Sequence, residues 1–89
     1  MSGDFLAAFH HEFDEVLVEV ERSQSRYGDF ASTHEALGVL LEEVNELGRA
    51  VQANALESVR GEAMQVAAVA VRFALHCRDH AAFAARSRK

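Results

Sequence analysis

A chain of 89 residues, 49% hydrophobic and 26% charged, has the composition of one compact domain. So short a chain buries only about 60 to 65% of its unfolded surface, so association with a second copy is an expected way to enlarge the core. A formal charge of -5 and a pI near 5.4 argue against a nucleic acid polymer or an anionic membrane as partner, since both recruit clustered Lys and Arg. The single cysteine, Cys77, has no internal disulfide partner, which fits a reducing cytoplasm. Neither a secretory signal nor 18 uninterrupted apolar residues can be found.

With no proline and only five glycines, the composition favours helices, and the expected fold is all-α: one domain over residues 1–89, a bundle of three to four helices completed by oligomerisation. Phe5, Leu6, Phe9, Phe13, Val16, Leu17 and Val20 recur every three or four residues and predict a first helix from about Gly3 to about Ser23. Residues 26–31 break that period with a glycine beside an aspartate and read as a loop. Ser32 and Glu35 form a capping box that opens a second helix, running to about Ala53 on the face Leu37, Leu40, Leu41, Val44, Leu47 and Val51. Asn54 and Glu57 repeat the capping pattern before a third helix from Leu56 to Cys77, apolar around most of its circumference and so expected to lie centrally. Asp79 is placed to cap a short fourth helix, and residues 86–89 read as a basic, frayed tail.

Chemistry concentrates on the second and third helices. Glu43 and Glu46 stand one turn apart on one face, Glu62 and Gln65 repeat the spacing, and antiparallel packing would bring the four together. An oxygen-rich cluster of this kind suits Mg²⁺ or Mn²⁺, hard cations that combine a few carboxylates with substrate phosphates. Glutamates at such spacings are common on solvated helices. Here, however, Glu43 and Glu46 interleave with Leu40, Val44 and Leu47, and Glu62 and Gln65 lead into the apolar run from Val66, where an acid needs a partner.

Glu42-Glu43-Val44-Asn45-Glu46-Leu47 followed by Glu62-Ala63-Met64-Gln65-Val66-Ala67-Ala68 resembles the motif pair of the MazG-like, all-α nucleoside triphosphate pyrophosphohydrolases, over roughly residues 27–72. The resemblance implies a homodimer or homotetramer that uses Mg²⁺, or Mn²⁺, to cleave a nucleoside triphosphate, noncanonical or surplus, into a monophosphate and pyrophosphate. It implies that Glu43, Glu46 and Glu62 are both catalytic and metal-ligating, with Gln65 at the fourth ligand position. Gln65 stands where the family usually has Asp, and an amide oxygen brings no negative charge. Three readings follow: a site working on three carboxylates plus substrate phosphates, substitution by Glu42 or another acid, or a helical nucleotide-binding or interaction module without chemistry. A purely structural bundle is a fourth.

Three residues are candidates for substrate binding. Arg72, two turns beyond Gln65, is placed for a phosphate tail or for covering apolar surface with its stem. His34 at the second helix start can meet a base or phosphate, or simply serve the helix terminus. Phe30, like Tyr27, can stack a base or anchor the loop. His76 and His80 have zinc-compatible spacing around Cys77 but no second ligand pair, and the adjacent His10 and His11 diverge by about 100° on a helix.

Overall fold

The computed structural model describes the backbone of residues 3–87 and the side chains of residues 3–80. Three α-helices, α1 (Gly3–Tyr27), α2 (Thr33–Gln52) and α3 (Leu56–Ser87), make up the described chain, which contains no strand. Among the described residues no helix is long and apolar enough to cross a membrane.

The boundaries have local causes. α1 runs beyond Ser23, because Ser23 and its polar successors continue the helix and the Ser23 hydroxyl bonds back to the Glu19 carbonyl at 2.7 Å. It stops at Gly28, which adopts φ 73° and donates its N–H to the Gln24 carbonyl at 2.9 Å, a left-handed cap that glycine enters without a Cβ clash. The capping box at α2 forms: Ser32 Oγ accepts from Glu35 N at 3.0 Å, and Glu35 reaches back to Ala31 N at 3.1 Å, one residue before the usual target.

Two expectations are corrected. Asn54 does not cap α3. It ends α2 in the left-handed region (φ 55°), with Asn54 N bonded to Val51 O at 3.0 Å and Ala55 N to Ala50 O at 3.4 Å, a Schellman arrangement. Nor does Asp79 open a fourth helix: α3 passes through it to Ser87, since 78–82 contain no glycine or proline and an exposed aspartate costs a helix little. Of the tail, 86 and 87 are helical and 88–89 lie outside the described residues.

The turn at 53–55 folds α3 back along α2, and α1 packs on another side of α3, without packing against α2. The central helix is therefore α3, as its all-round apolarity requires. Phe30, Ala36 and Val69 are the buried centre, with Val39, Leu40 and Phe73 packed around them, and Val20 and Ala68 are buried alongside. Much apolar surface stays outside, including Phe9, Phe13 and Leu17 of α1 and Leu37, Leu41, Val44 and Val51 of α2.

Candidate metal centre

The α2–α3 hairpin sets the site. Glu46 precedes Ala53 by seven residues and Glu62 follows Ala55 by seven, so the tight turn brings them level, with Glu43 one turn further along α2. Ligand oxygens of Glu43, Glu46 and Glu62 all lie within 4.8 Å of one another. Glu62 Oε2 is buried and has no hydrogen-bond partner. Burial pushes the Glu43 carboxyl above its ordinary value, and the charges of Glu46 and Glu62, a hydrogen bond with Glu46 and the charge of Glu42 push the same way. Three carboxyls at this separation, one with an orphaned oxygen, are a set of hard donors with no basic partner among the described residues, and a divalent cation fits that deficit.

Beside the group opens a cleft of about 460 Å³ between α1, the 28–30 loop and the hairpin, lined by Glu42, Glu43, Gln65, Val69 and Arg72 among others. Gln65 is one turn beyond Glu62 on α3, and its amide lies against the Glu19 carboxylate of α1, which it helps Arg22 to hold below the usual range. Glu19 and Arg22 also line the cleft. Sequence reading missed them; the available signal was their i, i+3 spacing beside Val20, at the edge of the α1 stripe.

The remaining candidates disperse. Arg72 is 6% exposed, donates Nε to Gln24 Oε1 at 3.2 Å and Nη2 to the Gly28 carbonyl at 3.0 Å, and lies 4.5 Å from the centre of the Phe30 ring. It ties the end of α1 and the loop to α3. Phe30 is 7% exposed, with Arg72 over its ring and His76 against it at 6.2 Å, which makes it the anchor of the loop. Tyr27, at the cleft and 67% exposed, is the aromatic with an accessible face. His34 is exposed on the first turn of α2 and does not line the cleft. The His76 and His80 rings lie 4.0 Å apart, His76 buried and His80 exposed, in the wall of a separate pocket of about 250 Å³.

A second group escaped the sequence reading: His11, Glu12 and Glu15 also bring ligand atoms within 4.8 Å of one another. Arg60 from α3 reaches across to Glu12 at 2.7 Å and to Glu15 at 2.8 Å, so this group already has its cation. No family model, curated protein or solved structure matches the chain, so the reading of the site rests on its own residues and geometry.

Proposed function

We propose that this protein is a Mg²⁺-dependent nucleoside triphosphate pyrophosphohydrolase of MazG-like type, with Glu43, Glu46 and Glu62 as the metal-holding carboxylates. The carrying observation is the convergence of these three groups within 4.8 Å, with Glu62 Oε2 buried and unpartnered. A bound Mg²⁺ or Mn²⁺ supplies Lewis acidity toward phosphate oxygens and makes water a better nucleophile at neutral pH. In the reaction, water oxygen bonds to the α-phosphorus, the bond from that phosphorus to the α,β-bridging oxygen breaks, and pyrophosphate leaves with a proton released. The adjoining cleft offers room for the phosphates, and the exposed Tyr27 ring at its edge is placed to stack the base. Support for the family comes from the order and spacing of the two glutamate motifs.

The experiment is pyrophosphate release from a panel of nucleoside triphosphates in Mg²⁺ and in Mn²⁺. Wild type is expected to hydrolyse slowly and Glu43→Gln not at all. Folded wild type and Gln65→Asp both inactive with every nucleotide would leave the second reading, a nucleotide-binding module without chemistry, which the uncharged Gln65 favours.

The same reading includes a second copy of the chain. Leu37, Leu41, Val44, Gly48 and Val51 follow the alternating four-three spacing of a coiled-coil seam, and all five are exposed along the outside of α2. Sedimentation at micromolar concentration is expected to show a dimer or tetramer, with Leu41→Glu shifting it to monomer. Wild type sedimenting only at 9.8 kDa would refute the assembly.

A further inference from the structure

We propose that the Glu19 and Arg22 pair of α1 completes the site: Arg22 takes the polyphosphate of the substrate, and Glu19, beside Gln65, supplies the carboxylate missing from position 65. This inference rests on the hydrolase reading and extends it to a helix that the glutamate motifs do not include.

The two facing pairs of the hairpin are unequal. On α2, Glu43 and Glu46 stand one turn apart as two carboxylates, whereas on α3 the equivalent pair, Glu62 and Gln65, is one carboxylate and one amide. The charge deficit at the fourth corner is met from α1. Glu19 lines the same cleft as Glu43 and Gln65, its side chain is only 15% accessible, and the Gln65 amide lies against its carboxylate. A neutral amide beside a carboxylate leaves its charge in place, and the carboxylate oxygens keep lone pairs for a cation. Glu19 stands outside the tight group of three, so its role is to complete the set when phosphate and cation enter together.

Cation supply points to the same pair. Arg22 and Arg72 are the basic residues lining the cleft, against the acids Glu19, Asp29, Glu35, Glu42 and Glu43. Arg72 is buried and spends its Nε and one Nη on Gln24 and Gly28. Moving it would unfasten the loop from α3. Arg22 is different: its side chain is 55% accessible, and its partner is Glu19, through Nε at 2.9 Å and Nη2 at 2.6 Å. The Arg22 end of the pair stands in solvent, where an incoming group can reach the guanidinium, and phosphate accepts the same fork with greater charge. Polyphosphate therefore draws Arg22 from Glu19, and the freed carboxylate faces the cation that arrives with the substrate.

Calorimetric titration separates the two roles, using Mn²⁺ alone and then pyrophosphate in saturating Mn²⁺, with circular dichroism to check folding. Glu19→Gln is expected to weaken Mn²⁺ binding about tenfold or more. Arg22→Gln should leave Mn²⁺ affinity undiminished, since it frees Glu19, and weaken pyrophosphate binding about tenfold. Gln65→Asp should tighten Mn²⁺ binding more in the Glu19→Gln background than in wild type, because one carboxylate then stands in for the other. Mn²⁺ affinity lost in Glu43→Gln but kept in Glu19→Gln would overturn the role of Glu19 and leave the metal reading intact. Undiminished pyrophosphate affinity in Arg22→Gln would overturn the role of Arg22. Should Glu19→Gln not fold, an equal Mn²⁺ response in wild type and Gln65→Asp supports a fourth acid already present, and a tenfold gain argues against it. Wild type that binds no Mn²⁺ at millimolar concentration overturns this inference together with the function it rests on.

Discussion

Among the described residues two regions gather three potential ligands within the same 4.8 Å, and they differ in whether a basic side chain answers their charge. At His11, Glu12 and Glu15 the guanidinium of Arg60 bridges both carboxylates, and hydrogen bonds and charge from Arg60 hold the Glu15 carboxyl below its ordinary value. At Glu43, Glu46 and Glu62 no such cation intervenes among the described residues, the Glu43 carboxyl is pushed up by burial and by its acidic neighbours, and Glu62 Oε2 has no partner there. Proximity of carboxylates is thus a poor criterion alone. What distinguishes a candidate cation site is charge and hydrogen-bonding capacity left unmet at some cost to the fold.

The largest effect expected from this contrast is in the response to metal. At Mn²⁺ a hundredfold above its dissociation constant, binding to the native state alone adds about 2.7 kcal/mol of stability. Glu46→Gln should abolish that rise in melting temperature, and Glu12→Gln should leave it intact. An equal response in both variants would place the ions elsewhere and dissolve the comparison.

Next in size is the effect of removing the orphaned acid. Without metal, Glu62→Met exchanges a buried, unpartnered oxygen for a thioether and should stabilise the fold by about 1–2 kcal/mol, while losing the metal response. Chemical denaturation of the metal-free proteins checks it. A marked destabilisation would mean that Glu62 is satisfied in solution by a group it lacks here.

The smallest effect is in pH dependence, where the two regions should have opposite signs. A raised carboxyl at Glu43 means that the folded state holds its proton more tightly than the unfolded state. Its stabilisation is therefore full below the ordinary value of 4.5 and is lost as pH rises through the raised one. Glu15 is lowered, so its stabilisation is present above 4.5 and is lost as pH falls through the lowered value. Melting temperature followed from pH 4 to pH 7 should accordingly rise less steeply in wild type than in Glu43→Gln, and saturating Mn²⁺ should reverse the difference, because wild type alone binds the ion and binds it more tightly as Glu43 loses its proton. Identical pH profiles for the two metal-free proteins would remove Glu43 from the account.

Periodicity and punctuation made the hairpin legible. Apolar residues at three- and four-residue intervals, a Ser32 and Glu35 box that forms, and glutamates equidistant from the turn are local features, and local hydrogen bonding and helical geometry act on them directly. The same locality explains the errors at Asn54 and Asp79. Each residue type suits both a helix start and another role, and its neighbours decided which: the backbone at Asn54 turned left-handed to close α2, and helix-forming residues around Asp79 carried α3 onward.

What the sequence by itself determined was therefore the helices, the hairpin and the order of acids along it, including the amide at position 65. Tertiary structure alone decided which charges meet. Arg60 lies 45 residues from Glu15 and Arg72 lies 48 from Gln24, and no periodic pattern relates such distant positions. Packing α1 against α3 gave one acidic group its counter-charge, fastened Arg72 beneath the loop over Phe30, and set Glu19 against Gln65. Coulombic and hydrogen-bonding energies depend on distance in space, and that distance follows from the chain's spacing only within a helix or across its tightest turn.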